Sequence, residues 1–338
     1  MRTNVSIIIP CRNEENYIEN AIRSILTQAS DKINIEIIII DGISEDNTQT
    51  IIQSIIANDS RVRLFLNHAK TTPQAMNIGI SNAQYPYIIR IDAHAEAKEG
   101  FIEKSIQAIQ SDDTIDCAGG KIINIYENPI AKSIGKAMSS KFGVGNATFR
   151  IGGERKFVDT VAFGIYKKAI FERIGMFDER LVRNQDDELN YRIIQSGGKI
   201  LYDPQIESLY YVRGSFIKLA KQYFQYGYWK IFVNKKHNAV TSIRQLFPFL
   251  FILGLLVGGI ASFFHKIIFM LFASVICFYA VVCIILGLKL GDELKDKIQV
   301  MMVFPILHIS YGWGYLIGLI DFILLNKKIT KKATEITR

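Results

Sequence analysis

The chain has 338 residues, of which 49% are hydrophobic and 21% charged, and it carries a net charge of +8. This composition excludes a disordered or fibrous protein, and the concentration of apolar residues between positions 246 and 325 excludes a wholly soluble one. The cations are also unevenly placed, since residues 213–244 contain seven Lys or Arg and no acid. Such a cluster beside apolar segments favours anionic lipid headgroups or phosphates as partners, and no nucleic acid is expected.

The first ninety residues alternate between two patterns. Short runs of β-branched residues predict strands that are buried on both faces, and apolar residues at helical spacing predict helices. The predicted strands are residues 5–10, 35–40, 62–66 and 87–91, and the predicted helices are 14–28, 48–57 and 73–83. Repeated strand–helix–strand units predict an α/β domain with a Rossmann-like, mostly parallel sheet. Ligands of such sheets bind beyond the carboxyl ends of the strands, which points to residues 12–15, 41–46 and 92–94.

The rest of the chain contains a polar stretch and then three apolar blocks. Residues 126–160 are rich in Gly, Ser and Lys, and we expect a mobile or membrane-skimming insertion there. As helices, the blocks 246–264, 267–288 and 299–325 would span about 28, 33 and 40 Å, against about 30 Å for a hydrocarbon core. They therefore predict transmembrane helices. Three full spans would place the Lys-rich tail opposite the first half of the chain, against the positive-inside rule, so two and three spans both stay open.

Five motifs follow one another in the first part of the chain: VSIIIPCRNEE, EIIIIDGISEDNT, NIGISNA, RIDAHA and GMFDERLVRNQDDELNYRI. Together they resemble family 2 of the inverting glycosyltransferases, with its GT-A nucleotide-sugar-binding fold, and within it the succinoglycan-biosynthesis glucosyltransferase branch. The resemblance covers residues 4–235. It implies a GT-A catalytic domain over residues 1–235 and a membrane region over residues 236–338.

The resemblance implies that the first two strand ends bind the donor. Asp41 ends the second predicted strand, where the family uses a carboxylate to accept hydrogen bonds from uracil or ribose. The family commonly reads Asp-Asp-Gly-Ser-x-Asp at this point, whereas Gly42 and Ile43 follow Asp41 here. Ser44 and Asp46 are predicted to cap the next helix. The further predicted donor-binding residues are Pro10, Arg12 and Glu14.

Asp92 and His94 occupy the place of the family's Asp-x-Asp motif. Two ligands at such spacing can hold a divalent cation together with the donor diphosphate, and the cation stabilises the charge that develops on the leaving group. A cofactor of Mn²⁺ or Mg²⁺ is therefore predicted, and the imidazole ligand suits Mn²⁺ better. A histidine beside an apolar strand is also common as a structural residue, which leaves the number of direct ligands open.

The stretch QDDELNYR aligns with the family's Glu-Asp-x-x-Leu-x-x-Arg and implies that Asp186 is the general base. An inverting transfer needs a carboxylate that takes the proton of the acceptor hydroxyl as its oxygen attacks the anomeric carbon. The spacing of Leu189, Ile193 and Ile194 predicts one apolar helix face and places Asp186 in the first turn, where the helix dipole favours a carboxylate. Asp187 is the alternative base and is otherwise expected near the acceptor.

The stretch QYFQYGYWK resembles the acceptor-binding motif of processive family members. Gln225 and Trp229 match the ends of Gln-x-x-Arg-Trp, and Tyr228 replaces the Arg, which favours the addition of a single sugar over polymer synthesis. Arg213 and Lys230 are expected to hold phosphates of a lipid diphosphate acceptor. An aromatic belt at the membrane interface is the alternative explanation of these aromatic residues.

These assignments predict a membrane-anchored inverting glycosyltransferase of exopolysaccharide or capsule synthesis. It would move one sugar from a UDP-sugar to a polyprenyl-diphosphate-linked saccharide, beside other polysaccharide-assembly enzymes. The expected location is the inner or plasma membrane, multi-pass, with the catalytic domain in the cytoplasm. Two alternatives stay open: a processive polysaccharide synthase, for which three apolar blocks are too few to line a channel, and a non-catalytic nucleotide-sugar-binding scaffold, against which Asp92 and Asp186 argue.

Overall fold

The structure is a computed structural model that describes residues 2–327, so most of the Lys-rich tail lies outside the described residues. The strands are β1 (Thr3–Cys11), β2 (Ile33–Asp41), β3 (Val62–Leu66), β4 (Tyr87–Arg90), β5 (Ala95–Ala97), β6 (Ile115–Ile125), β7 (Lys156–Phe157), β8 (Ala162–Lys167) and β9 (Lys199–Tyr211). The α-helices are α1 (Ile18–Leu26), α2 (Thr48–Ile56), α3 (Thr72–Asn82), α4 (Phe101–Gln110), α5 (Pro129–Met138), α6 (Lys141–Val144), α7 (Thr148–Ile151), α8 (Ala169–Ile174), α9 (Gln185–Gln195), α10 (Phe216–His237), α11 (Phe247–Ala261), α12 (Lys266–Leu290) and α13 (Leu294–Gly318). A 3₁₀ turn (Ile243–Leu246) precedes α11, and a π-helical turn (Leu319–Leu324) extends α13.

The described chain divides into two compact units. The first unit combines the residues up to 124 with Ala147–Tyr211, and the second combines Ile125–Asn146 with the residues from 212 onward. This division places α10 with the apolar helices, whereas the sequence boundary at residue 235 places α10 with the sheet. That residues 1–235 form the catalytic domain stays a prediction.

The first unit is an α/β sheet in the order β3-β2-β1-β4-β8-β6-β9-β5, with β7 beside β9. As predicted, β3, β2, β1 and β4 are parallel, and they begin and end close to the predicted positions. Their Ile-rich sequences bury both faces under helices, as parallel sheets require. Beyond β4 the pairs β4–β8, β6–β8, β5–β9 and β7–β9 are antiparallel, which the sequence analysis did not predict.

Part of the expected insertion at residues 126–160 forms the short helices α5, α6 and α7 and the strand β7. α5 is capped by Asn128, whose Oδ1 accepts a hydrogen bond from the Ala131 N–H at 2.8 Å, and Pro129 starts its first turn. α5 then packs on α13. Lys136 Nζ lies 2.6 Å from Asp296 and 2.8 Å from Asp292 at the start of α13. These ion pairs join α5 to the start of α13 within the second unit.

Three segments of the second unit are long and apolar enough to cross a membrane: Ile243–Ala261, Lys266–Leu290 and Leu294–Leu324. The prediction of apolar membrane helices is confirmed on length and composition. Only 6% of the most apolar window is buried in each of the first two segments, whereas 39% of that window is buried in the third. The third segment is therefore the one around which the other helices pack.

Glycines allow α10 and α13 to approach closely. A Cβ on Gly314 would lie 2.0 Å from the backbone oxygen of Phe224, and one on Gly318 would lie 2.6 Å from that of Tyr228. On the opposite helix, a Cβ on Gly227 would lie 2.0 Å from the backbone oxygen of Tyr311. Gly314 and Gly318 form the small-xxx-small spacing that lets membrane helices pack backbone to backbone.

Candidate active site

The loops after β1 and β2 are tied together at the carboxyl edge of the sheet. The Asn13 N–H donates to Ser44 Oγ, and the Glu45 N–H donates to Asn13 Oδ1, each at 2.8 Å. The predicted donor residue Arg12 pairs with Glu45 at 3.5 Å, and Pro10 lies partly exposed near the end of β1. The two loops predicted to bind the donor are therefore one hydrogen-bonded structure.

Asp41 is completely buried and accepts hydrogen bonds from within its own loop. Ser44 donates from both its backbone N–H (2.9 Å) and its hydroxyl (2.5 Å), and Gln49 Nε2 donates at 2.5 Å. Cys11 Sγ lies 3.7 Å from the same carboxylate. These bonds hold Ile43 at a φ of 56°, which strains a β-branched residue. Asp41 thus organises the loop, and its predicted contact with uracil or ribose stays a prediction.

The capping prediction is confirmed for one of the two residues. Asp46 Oδ1 accepts the Thr48 N–H at 3.0 Å and the Thr48 hydroxyl at 2.5 Å, and Asp46 Oδ2 accepts the Glu15 N–H at 3.2 Å. Burial opposes the charged form of Asp46, but these donors outweigh it and lower the pKa of the carboxyl. Ser44 does not cap the helix because its side chain binds Asp41 and Asn13.

Arg90, at the end of β4, joins the two carboxylates to which the sequence assigns different roles. Its Nη2 and Nε lie 3.0 and 3.3 Å from Asp92 Oδ1, and its Nη1 forms an ion pair with Asp186 Oδ1. The Arg90 side chain is only 12% exposed, against 26% for Asp92 and 36% for Asp186. The predicted donor-side carboxylate and the predicted base are therefore held by one guanidinium.

The charges of Arg90, Asp92 and Asp186 shift the pKa values of Arg90 and Asp186. Burial lowers the pKa of Arg90, but Asp186 and Asp92 outweigh it and raise the pKa above its ordinary value. Burial raises the pKa of Asp186, and Arg90 opposes this shift without cancelling it. Removal of Arg90 would leave the partly exposed Asp186 carboxylate beside Asp92 and Asp187 without its compensating cation.

Asp186 and Asp187 lie in the first turn of α9, as predicted. Leu189 and Ile193 are buried beneath the helix, whereas Ile194 is 41% exposed and does not belong to the apolar face that the sequence analysis predicted. The face is narrower because Ile194 lies one position beyond the i, i+4 spacing that joins Leu189 to Ile193.

The Arg of the same motif anchors α9. Arg192 binds Glu188 through two hydrogen bonds of 2.8 and 2.9 Å, and Glu188 is fully buried. The guanidinium also donates to the backbone oxygens of Ile174, Gly175 and Met176 at 2.6 to 2.9 Å. Arg192 thereby satisfies carbonyls at the end of α8 and holds the helix start that carries Asp186.

A neutral pair, Tyr166 and Cys117, neighbours Arg90 and Asp186. The two residues are cross-strand partners on β8 and β6 and are joined by a side-chain hydrogen bond. Burial raises the pKa of both groups, and the charge of Asp186 raises each further. Both side chains therefore stay protonated at neutral pH, and neither competes with Arg90 for the carboxylates.

The His94 side chain contacts Glu14 in the loop after β1 and, among the described residues, is not part of a cluster of metal ligands. Its Nδ1 lies 3.2 Å from Glu14 Oε1, and its ring packs against Tyr210 at 5.4 Å between centroids. Within residues 2–327, no group of three or more His, Cys, Asp or Glu side chains is arranged to hold a metal ion. The predicted role of Asp92 and His94 toward a divalent cation therefore stays a prediction.

Four of the five predicted acceptor residues belong to the second unit, whereas Asp187 lies on α9 in the first. Arg213 and Gln225 are partly exposed. Trp229 is fully buried and packs against Tyr228 and Phe322, with ring centroids 5.9 and 6.0 Å away. The Tyr228 hydroxyl donates to Asp321 at 3.1 Å. The contacts of Tyr228 and Trp229 are those of helix packing, and their predicted role toward the acceptor stays a prediction.

The sequence analysis missed Arg90. The signal was present, because Arg90 is a charged residue in an otherwise apolar strand two positions before Asp92. Its second partner, Asp186, follows 96 residues later, so no local pattern connects them.

Residues 6–175 match the family model described as glycosyl transferase family 2. The chain is 33% identical, over 77% of its length and 84% of the relative's, to the dolichyl N-acetyl-alpha-D-glucosaminyl phosphate 3-beta-D-2,3-diacetamido-2,3-dideoxy-beta-D-glucuronosyltransferase of Methanococcus voltae. It is 28% identical to succinoglycan biosynthesis protein ExoA of Rhizobium meliloti (strain 1021), over 73% of this chain and 74% of ExoA.

Among solved structures, the mannosyltransferase PcManGT from Pyrobaculum calidifontis, in complex with GDP-Man and Mn²⁺, has a TM-score of 0.63 to this chain. The likeness covers 93% of this chain and 88% of PcManGT at 14% identity, and it therefore concerns the fold. The family match, the relatives and the α/β sheet agree with one another: the chain belongs to glycosyl transferase family 2 and has a GT-A-like fold followed by helices apolar enough to span a membrane.

Proposed function

We propose that the chain is a membrane-bound inverting glycosyltransferase that moves one sugar from a UDP-sugar to a lipid-linked saccharide, with polyprenyl diphosphate as the expected carrier. The observation that carries this proposal is the pairing of Asp92 and Asp186 with Arg90 at the carboxyl edge of the sheet. The names of the relatives support it, since one acts on a dolichyl-linked sugar phosphate and the other serves succinoglycan biosynthesis.

In this proposal Asp186 takes the proton of the acceptor hydroxyl while the hydroxyl oxygen forms a bond to the anomeric carbon. The bond from that carbon to the diphosphate breaks, and UDP leaves with the electron pair. Attack opposite to the leaving group inverts the anomeric centre. Asp186 must be ionised to act, and the adjacent Arg90 favours its ionised form although burial disfavours it.

The residues that would hold a divalent cation are Asp92 and His94. A cation bound there would stabilise the charge on the departing diphosphate. Glu14 orients the His94 ring through Nδ1, which leaves Nε2 as the ligating nitrogen. The chain's own contribution is therefore one carboxylate and one oriented imidazole.

Chelation is expected to abolish transfer. EDTA should remove a cation held by only two side chains, and Mn²⁺ should restore activity more fully than Mg²⁺ because one ligand is an imidazole. The measurement is UDP release from the full-length protein after chelation and after return of each ion. Full turnover in excess chelator would contradict the metal assignment.

The donor and acceptor are tested together by a screen. Membranes containing the full-length protein are incubated with a panel of UDP-sugars and with GDP-mannose, and both nucleotide release and label in the lipid-linked fraction are measured. Sugar in that fraction from a UDP-sugar donor supports the proposal. Product from GDP-mannose alone would overturn the UDP assignment, and absence of release with every donor would favour the scaffold alternative.

We expect the protein to sediment with membranes and to resist extraction by alkaline carbonate. The reason is the three segments of mean hydropathy 1.9, 2.8 and 1.5, because a protein held only by the attraction of its basic residues to lipid would be extracted.

For the orientation, an N-terminal reporter should be active only on the cytoplasmic side. A signal from the opposite side would refute the orientation, and a C-terminal reporter distinguishes two spans from three.

A further inference from the structure

The contacts of Arg90 differ from those of the other well-anchored arginines in the sheet unit. Arg63 binds the buried Glu36 and the backbone oxygen of Asn82, and Arg192 binds Glu188 and three backbone oxygens. Each of these two joins one carboxylate to backbone carbonyls, which fixes a loop or a helix end. Arg90 instead joins two carboxylates that come from different elements.

The two carboxylates would not stay together without a cation between them. Both carboxylates contact the same guanidinium, so their two negative charges lie close enough to repel each other. The planar fork of an arginine can contact both at once, with Nη2 and Nε directed to Asp92 and Nη1 to Asp186. A lysine keeps the positive charge but offers a single ammonium, so it reproduces this geometry only in part.

The strand that carries Arg90 is rigid. β4 pairs with β1 on one side, with Arg90 opposite Ile8, and with β8 on the other, with Ile89 opposite Ile165. The backbone at Arg90 is therefore fixed by the neighbouring strands, and its guanidinium contacts Asp186 at the start of α9.

We propose that Arg90 is a positioning residue that fixes the carboxylate of Asp186 relative to the donor-side Asp92. The proposal rests on the function proposed above, in which Asp186 is the base. Arg90 itself does not exchange a proton with substrate. It sets where the base stands when the acceptor hydroxyl attacks.

The test is a double-mutant cycle in the full-length protein, with Arg90→Gln, Asp186→Asn and the combined variant. Arg90→Gln should lower kcat by about 10²-fold, the usual effect of a misplaced reacting group, with a much smaller change in the KM for the donor. In the Asp186→Asn background the same change should lower kcat by no more than about twofold, because the residue through which Arg90 acts is already inactive. Arg90→Lys should recover part of the lost kcat.

Two further measurements separate positioning from folding. Arg63→Gln is the matched control, since it also removes a partly buried arginine from a carboxylate of the same sheet. It should lower the thermal stability at least as much as Arg90→Gln but leave kcat near that of the wild type. UDP binding in the presence of Mn²⁺, measured by calorimetry, should persist in Arg90→Gln and show that the donor side still forms.

The outcomes are distinguishable. Wild-type kcat in Arg90→Gln overturns the inference, as do equal losses in both backgrounds, a kcat loss in Arg63→Gln as large as that in Arg90→Gln, or an Arg90→Lys variant no better than Arg90→Gln. If Asp186→Asn retains full turnover, the base assignment fails, whatever Arg90 does. If the wild type releases no nucleotide with any donor, the proposed function itself fails.

Discussion

Replacement of Asp186 by Asn should lower turnover by about 10²–10⁴-fold, or roughly 3–5 kcal/mol in the activation barrier. The substitution keeps the size of the side chain and one hydrogen-bond acceptor for Arg90 but removes the group that takes the acceptor proton. UDP affinity should change little, since the donor is expected to bind through Asp41, Asp92 and the cation. The measurement is turnover together with UDP binding in the full-length protein.

Asp187→Asn is the matched control for this prediction. Both carboxylates lie in the first turn of α9, but the contact with Arg90 belongs to Asp186. A carboxylate that only complements the helix dipole contributes about 0.3–1 kcal/mol, so Asp187→Asn should be mild. If Asp187→Asn is inactive and Asp186→Asn retains turnover, the assignment of the base through this motif is one residue out of register.

The parallel half of the sheet could be predicted because its strands carry a local signal. The uninterrupted apolar runs Ile7–Ile9 and Ile37–Ile40 cannot be covered on one face only, so they require helices on both sides. The antiparallel half gives no such signal. β6 contains Gly119 and Gly120, and a Cβ on Gly120 would lie 1.9 Å from the backbone oxygen of Ile206. A glycine is therefore required here by a close contact with β9, and this contact cannot be read from the local sequence.

The candidate site divides in the same way. The positions of Asp41, Asp92 and Asp186 at strand ends and a helix start follow from local sequence. Their partners do not, because Arg90 and Asp186 are 96 residues apart and Asp41 is enclosed by a loop whose strained Ile43 no propensity predicts. The sequence thus predicts which residue types lie at the edge of the sheet, whereas the charge network among them depends on tertiary contacts.

The stretch QYFQYGYWK illustrates a pattern that supports two explanations. Motif comparison assigns Gln225, Tyr228 and Trp229 to the acceptor. In the structure, the same stretch forms the face of α10 that packs on α13, through the glycine contacts and through Trp229 against Phe322. The aromatic residues therefore have a structural role that does not require an acceptor, and perturbation of α13 should reveal it.

Gly314→Ala should separate α10 from α13 and destabilise the helical unit. The new Cβ would lie 2.0 Å from the backbone oxygen of Phe224, and a backbone atom cannot move aside as a flexible side chain can. Overpacking of this kind typically costs about 1–3 kcal/mol, and more where only backbone can yield. We expect a lower unfolding temperature in detergent and a looser environment for the fully buried Trp229.

The matched control is Gly254→Ala, in the neighbouring helix α11, where an added Cβ meets no atom within 4 Å. It should leave the unfolding temperature unchanged or raise it, since Ala favours a helix by about 1 kcal/mol over Gly.

The chain contains two tryptophans, so Trp313→Phe leaves Trp229 as the sole tryptophan that reports fluorescence from the α10–α13 contact. A red shift of its emission in Gly314→Ala, absent in Gly254→Ala, is the expected result. Unchanged emission and stability in Gly314→Ala would show that the two helices do not pack through this glycine, and the structural explanation of Trp229 would then lose its basis.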